Sequence, residues 1–219
     1  MIPVTVVDNF FKDPDAVRKF ALSQEFRRLE IASWPGKRSK MLIDIDVEFY
    51  NNFIAKVLNL FFDISRDNLR CQIHAFFQSI PEKYQEGWTH LDIGTTFTGV
   101  VYLTPDAPVE AGTTLSVDTT DDPLSNQEIK AKYYSGIAVD PDEYYKAREE
   151  NNNRYIKTTE ISNVFNRLVI FPGTVPHKEN KFFGNTIEDS RLTLVFFVLI
   201  PDDDNNTLLP IARSSTSPL

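Results

Sequence analysis

The sequence predicts a mainly β protein in which two N-terminal helices precede the β core and a polar insertion interrupts it. Residues 68–79 alternate between apolar and polar side chains, which is typical of a half-buried strand. Apolar runs near 97–104, 113–118, 167–171 and 191–200 are separated by Pro-Asp, Ala-Gly and Pro-Gly turns. Short strands divided by such turns indicate an antiparallel β core.

Two helices are predicted before this core. Asp13-Pro14 supplies a helix cap followed by proline at the first helical position, which predicts a helix near 14–24. Asp46 caps the second helix, whose apolar residues recur at spacings of three and four. They are Phe49, Phe53, Ile54, Val57, Leu58 and Phe61. This apolar face is expected to lie against the sheet.

The 219 residues show no strong internal boundary, so we expect one domain over residues 1–219. Its parts are an N-terminal strand and helices (1–67), a core (68–200) holding a polar insertion (119–162), and a loose tail (201–219). The insertion holds five of the eight tyrosines and a helix capped by Asp140-Pro141. Its tyrosines are equally consistent with a small core of their own and with a substrate surface.

Composition excludes several classes of protein. Thirty-one acidic against 23 basic residues give a net charge of -8, which disfavours a nucleic-acid partner. The longest apolar run is about half the ~20 residues that a membrane-spanning helix needs. Cys71 is the single cysteine, and the N-terminus lacks the features of a secretion signal. We therefore expect a cytoplasmic protein with no membrane partner.

The stretch WTHLD places His90 and Asp92 two residues apart, at the start of an apolar segment. In an extended strand these two side chains project to the same face. His177 follows the apolar run RLVIF and the turn FPGTVP, from which a loop could return it to the same point. Two imidazoles and one carboxylate match the facial triad of non-haem Fe(II) oxygenases. A lone His-x-Asp is also an ordinary structural pair, so the hypothesis depends on His177.

Arg191 opens the segment RLTLVFFVLI, which is otherwise apolar except for Thr193. Alternation places Arg191 and Thr193 on the same side of the strand, facing the interior. A buried arginine requires a carboxylate partner. A dicarboxylate cosubstrate would supply one.

The segments HLD, GVVYLTPDAPVEAGTTL, NRLVIFPGTVPH and RLTLVFF together resemble the 2-oxoglutarate and Fe(II)-dependent dioxygenases, close to the prolyl hydroxylase branch. The resemblance covers roughly residues 68–200. VTVVDNFFKDPDAVRKFAL and WPGKRS are also similar to uncharacterised oxygenase-like proteins common in phage and bacterial genomes. The resemblance implies a double-stranded β-helix, which is a jelly-roll, cupin-like barrel, with N-terminal helices and a polar insertion.

The resemblance also implies the ligands of the site. His90, Asp92 and His177 match the iron ligands, which are catalytic in this family. The implied reaction uses Fe(II), 2-oxoglutarate and O₂ to hydroxylate a carbon centre. The implied substrate is a prolyl or other amino-acid side chain, presented by a small molecule, an amino acid or a peptide.

Three residues match the cosubstrate contacts of the family, namely Arg191, Thr193 and Tyr102. The interval from His177 to Arg191 is longer than the family usually shows, so Lys178 and Lys181 are alternative anchors for the cosubstrate carboxylate. Two other functions stay open. One is a cupin-type metal hydrolase or isomerase, which would not need Arg191, and the other is a non-enzymatic jelly-roll binding protein.

Overall fold

The computed structural model describes residues 4–28, 33–64, 70–119, 127–137 and 139–200. Its strands are β1 Thr5–Val7, β2 Lys37–Arg38, β3 Gln72–Ile80, β4 Phe97–Tyr102, β5 Thr113–Asp118, β6 Tyr155–Ile161, β7 Leu168–Pro172, β8 His177–Glu179 and β9 Arg191–Leu199. Its helices are α1 Pro14–Leu22, α2 Leu42–Ile45, α3 Val47–Leu58, α4 Gln127–Ser135 and α5 Pro141–Asn152, with a 3-10 turn at Glu82–Tyr84.

The strands form two antiparallel sheets. A six-stranded sheet has the order β1-β7-β4-β9-β3-β2, and a three-stranded sheet has the order β6-β5-β8. The longest pairing joins β3 to β9, from Gln72 opposite Leu199 to Ile80 opposite Arg191. The predicted N-terminal strand corresponds to β1, and the five strands predicted for the core correspond to β3, β4, β5, β7 and β9, with ends shifted by a few residues. The predicted mainly β core is confirmed.

The predicted helices α1 and α3 cover one face of the six-stranded sheet. Their caps form as expected, because Asp13 accepts a hydrogen bond from the backbone N–H of Ala16 at 3.0 Å and Asp46 accepts one from Phe49 at 2.9 Å. Residues of both helices join the buried cluster of the sheet, as Val17 and Phe53 do. The helix after Asp46 ends at Leu58, earlier than the periodicity suggested, although Phe61 still packs against this cluster.

A second apolar layer lies between the two sheets. It is formed by Val100, Tyr102, Leu115, Ile161, Val169, Phe171 and Val175. Strand β9 therefore has two different faces. Leu192, Leu194, Phe196 and Val198 point to the helices, whereas Arg191, Thr193, Val195 and Phe197 line a cavity on the opposite face. The alternation predicted for this strand is confirmed.

The chain between β5 and β6 contains α4 and α5, and Asp140 caps α5 through the backbone N–H of Asp142. Four of its tyrosines pack with Trp88 and Phe182 into a separate aromatic cluster, in which Tyr133 and Tyr144 stack at 3.6 Å. Strand β6 falls within the span 119–162 and was not predicted. It is an edge strand of the smaller sheet with several exposed positions, so its sequence shows little apolar alternation.

Two features expected from the sequence fall on residues outside the described ranges. They are the start of the strand predicted from residue 68 and the tail over 201–219. Within the described ranges, no helix is both long and apolar enough to cross a membrane.

Phe196→Ala tests the interior of the larger sheet. Phe196 is fully buried, packs edge-on against Phe53 at 5.2 Å and lies directly over Gly99, where an added Cβ would meet its ring at 2.1 Å. We expect the free energy of unfolding to fall by about 3–5 kcal/mol, because the ring leaves a cavity. Urea denaturation measures this, and Ile156→Ala, at a position 59% exposed, should change it by less than about 0.5 kcal/mol. Equal effects of the two substitutions would contradict this account of the core.

Candidate metal centre

His90, Asp92 and His177 come together between the two sheets. His90 follows the 3-10 turn, whereas His177 opens β8, a short strand paired with β5. The backbones of the two histidines exchange hydrogen bonds of 3.0 and 2.9 Å. One ligand atom from each of the three residues lies within 4.8 Å of the others. The structure therefore brings together all three residues proposed as ligands, and it places His177 on a strand where a loop was expected.

Each imidazole is oriented by a backbone carbonyl. Nδ1 of His90 lies 2.7 Å from the carbonyl oxygen of Trp88, and Nδ1 of His177 lies 2.9 Å from that of Val175. A carbonyl can only accept, so this network assigns the proton to Nδ1 in both rings. The Nε2 atoms then face Asp92, at 3.7 Å from Oδ1 for His90 and 3.3 Å from Oδ2 for His177.

Asp92 is also oriented by hydrogen bonds, as the two imidazoles are. Thr98, on β4, donates a hydrogen bond from Oγ1 to Oδ2 of Asp92 at 2.5 Å. The backbone N–H of Asp92 donates to the carbonyl of Gly173 at 2.9 Å. Metal ligands are commonly fixed by such outer hydrogen bonds. Two Nε2 atoms and one oriented carboxylate fit a divalent transition metal and leave other coordination positions open.

The pKa shifts of the three residues are consistent with a metal-binding site. Burial and the positive charges of Lys130 and His177 lower the pKa of His90 to about 4, so its ring is neutral near pH 7. Burial raises the pKa of Asp92, but the hydrogen bond and charge of His177 outweigh it and hold that pKa well below its usual range. Burial lowers the pKa of His177, but the hydrogen bond with Asp92 outweighs it and raises that pKa above its ordinary value. A metal would replace the proton that this pair shares.

A cavity of about 450 Å³ opens beside the cluster, and Arg191 and Thr193 lie on its wall. Arg191 is 3% exposed, donates from Nε to the carbonyl of Ala111 at 3.3 Å and lies 5.4 Å from the ring centroid of Tyr102. Tyr102 is fully buried, bonds Thr113 through its hydroxyl at 2.7 Å and does not line the cavity. The three residues expected to contact a cosubstrate are thus adjacent, but Tyr102 lies behind the cavity wall, against Arg191 and Thr113.

The two alternative anchors have other partners. Lys178 forms an ion pair with Glu86, and Lys181 pairs with Glu110 at 3.0 Å with about half of its side chain exposed. Arg191 forms no ion pair within 4.0 Å in the described part of the chain. The geometry therefore favours Arg191 as the residue that would bind a carboxylate.

Sequence reasoning missed three charged residues of the cavity, namely Arg38, Lys130 and Glu179. Arg38 belongs to the segment WPGKRS, and Lys130 to the polar span after β5, so neither lies near the ligands in sequence. Glu179 is two residues after His177, and strand periodicity would have placed it on the same face had β8 been predicted. No periodicity or motif spacing places Arg38 or Lys130 beside the ligands.

Comparisons with known proteins agree with the fold. HygX from Streptomyces hygroscopicus was solved with nickel and 2-oxoglutarate bound. The two structures align over 92% of this chain and 84% of the HygX chain, at 10% identity and a TM-score of 0.57. A prolyl hydroxylase from Trichoplax adhaerens, in complex with a hypoxia inducible factor peptide, covers 98% and 87% at 14% identity and a TM-score of 0.53. An oxidoreductase of the 2OG-Fe(II) oxygenase family from Burkholderia pseudomallei covers 90% and 84% at 11% identity and a TM-score of 0.53.

At these identities the likeness shows the fold. The chain has the jelly-roll fold of the 2OG-Fe(II) oxygenases, which confirms the fold class expected from sequence. No curated protein matches the sequence. Residues 1–198 match the model of a family of unknown function, DUF6445, and the chain belongs to that family.

Thr98→Val tests the orientation of the carboxylate. Removing the hydroxyl frees Asp92 to rotate, so we expect the affinity for Co(II) to fall about 10- to 100-fold. The visible absorption of Co(II) during an anaerobic titration measures it. His177→Ala should abolish binding, and Thr158→Val, at an exposed threonine of β6, should leave it unchanged. Wild-type affinity in Thr98→Val would contradict the role given to this hydroxyl.

Proposed function

We propose that this protein is a 2-oxoglutarate- and Fe(II)-dependent oxygenase that hydroxylates a carbon centre. His90, Asp92 and His177 would hold Fe(II) through two Nε2 atoms and one carboxylate oxygen. When bound, the metal and the cosubstrate would supply the oxidising chemistry with O₂. The protein supplies the donor set, the orientation of each ligand and a recess that limits access of water.

Arg191 is the single observation that carries this proposal. It is buried on the wall of the same cavity as the triad, yet it forms no ion pair within 4.0 Å among the described residues. A buried guanidinium of this kind calls for a carboxylate. The 2-oxoglutarate molecule carries one carboxylate for a metal and a second, distal one for a cation.

The surroundings of Arg191 keep the guanidinium in place. The ring centroid of Tyr102 lies 5.4 Å from it, and the carbonyl of Ala111 accepts its Nε–H, while no carboxylate of the described residues lies within 4.0 Å of it. Thr193 lies two residues further along β9, and its hydroxyl also faces the cavity. Arg191 and Thr193 would together bind the distal carboxylate, while Tyr102 positions the arginine.

The substrate is proposed only by class. The prolyl hydroxylase from Trichoplax adhaerens was solved with a peptide, and HygX was also solved with hygromycin B bound. The jelly-roll fold thus accommodates both peptides and small molecules. An amino-acid side chain, in a small molecule or a peptide, is the substrate class that we propose here.

Anaerobic addition of Fe(II) and 2-oxoglutarate tests the cofactor pair. We expect the visible charge-transfer band of the chelated complex in the wild-type protein and its loss in His177→Ala. In Arg191→Gln the apparent Kd for 2-oxoglutarate should rise about 10- to 100-fold, because a hydrogen bond between two charged groups is worth about 1.5–3 kcal/mol. The matched control is Arg167→Gln, since Arg167 pairs with Asp8 on the surface.

The other outcomes separate the competing functions. A wild-type protein that binds Co(II) but gives no band would favour a cupin-type hydrolase or isomerase, in which Arg191→Gln keeps activity. A protein that binds neither metal nor 2-oxoglutarate would favour a non-enzymatic jelly-roll. Each of these results would overturn the proposal.

A further inference from the structure

Two cations of the cavity have no role in the function proposed above. They are Arg38, on β2, and Lys130, on α4. They reach the cavity from two elements far apart in sequence, and neither element supplies a ligand of the triad. Both side chains lie within electrostatic reach of Asp92 and Glu179.

Lys130 is buried, and its ammonium has no ion-pair partner within 4.0 Å among the described residues. The residue is 6% exposed, and no hydrogen bond joins its side chain to another residue in the described ranges. Burial lowers its pKa to about 8, against the opposing charges of Glu179 and Asp92. A buried ammonium without a partner is unfavourable in the free protein. An anion entering the cavity would relieve that cost.

Arg38 is held flat by aromatic rings. Its guanidinium lies 4.1 Å from the ring centroid of Trp34 and 5.4 Å from those of Phe76 and Phe197. Rings that cover the faces of a guanidinium leave its N–H groups, which point outward in its plane, free to bind. The Nε atom is buried and has no hydrogen-bond partner within the described chain. Arg38 is thus oriented to donate to an anionic group.

The charges lining the cavity are unequal. Among the described residues, its wall carries four cations, Arg38, Lys130, Lys178 and Arg191, and two carboxylates, Asp92 and Glu179. Lys178 is neutralised by Glu86. A divalent metal and a doubly charged 2-oxoglutarate cancel each other, so the cavity keeps one excess positive charge after both have bound. Glu179 attracts Arg38, Lys130 and Arg191 but lies within 4.0 Å of none of them in the described structure.

We propose that Arg38 and Lys130 form the specificity site for an anionic group, a carboxylate or a phosphate, on the substrate. This inference rests on the proposed function, since it assigns Arg191 to the cosubstrate and leaves the other two cations for the substrate. It names a substrate class, because neutral molecules would leave the excess charge unbalanced. Arg38 and Lys130 would select the substrate by charge, and the apolar residues Leu91 and Ile93 line the same cavity.

The experiment compares ligands of similar shape and different charge. Protein loaded with Ni(II) and N-oxalylglycine, a 2-oxoglutarate analogue, is titrated with benzoate, phenyl phosphate and neutral benzamide by ligand-observed NMR. We expect at least one of the two anions to bind about ten-fold or more tightly than benzamide. The better anion distinguishes a carboxylate from a phosphate as the preferred group.

Substitutions then locate the preference. Lys130→Met and Arg38→Met should reduce the preference for the anion to less than about two-fold while leaving benzamide affinity unchanged. The matched controls are Lys132→Met, an exposed residue of the same helix paired with Glu128, and Lys37→Met, the exposed neighbour of Arg38. The charge-transfer band with Fe(II) and 2-oxoglutarate shows that each variant is folded and binds the cosubstrate.

Three outcomes would overturn the inference. They are equal affinity for benzoate, phenyl phosphate and benzamide, an anion preference that survives both substitutions, and loss of the 2-oxoglutarate band in Lys130→Met or Arg38→Met when the controls keep it. The last would mean that these cations serve the cosubstrate. If wild-type protein gives no band, the proposed function fails instead, and a preference that depends on Lys130 in protein loaded with Co(II) alone would still support the anion site.

Discussion

The site depends on the reciprocal backbone hydrogen bonds between His90 and His177. These two bonds join a segment that follows β3 to a short strand of the smaller sheet, and they fix the distance between the two imidazoles. Asp92 is then placed by its own backbone bond to Gly173, in the turn after β7. Side chains from distant parts of the chain therefore form one cluster because main-chain bonds, which vary little in length, connect their backbones.

Strand β9 links that cluster to the stability of the whole molecule. Its outer residues belong to the largest apolar cluster, so the strand is held by helices on one side and by β3 and β4 along its edges. Its inner residues, Arg191 among them, face the cavity, and the Arg191 side chain is buried. The free energy gained by burying the apolar face of β9 offsets the cost of burying the cation on its other face. The same strand therefore contributes one face to the apolar core and the other face to the cavity.

The segment between β5 and β6, which contains α4 and α5, contributes residues both to the aromatic cluster and to the cavity wall. Its tyrosines pack with Trp88, only two residues before His90, so the aromatic cluster stabilises the segment that carries the first ligand. The same packing fixes α4, whose residue Lys130 reaches the cavity. Tyr134 belongs to the cluster and also lines the cavity wall. The tyrosines therefore form a small core, and one of them, Tyr134, also lines the cavity.

The sequence by itself determined the local features. Alternation and capping predicted the main strands and helices, and the pattern His-x-Asp with a later histidine named the triad, because periodicity and ligand chemistry are local properties. It missed β2, β6 and β8, whose short or polar sequences become strands only by pairing with β3 or β5. Only the tertiary structure decided that Arg38 and Lys130 share a cavity with Arg191, because their neighbouring residues carry no pattern that predicts this contact. It also showed that Lys178 and Lys181 already have carboxylate partners, which sequence alone does not reveal.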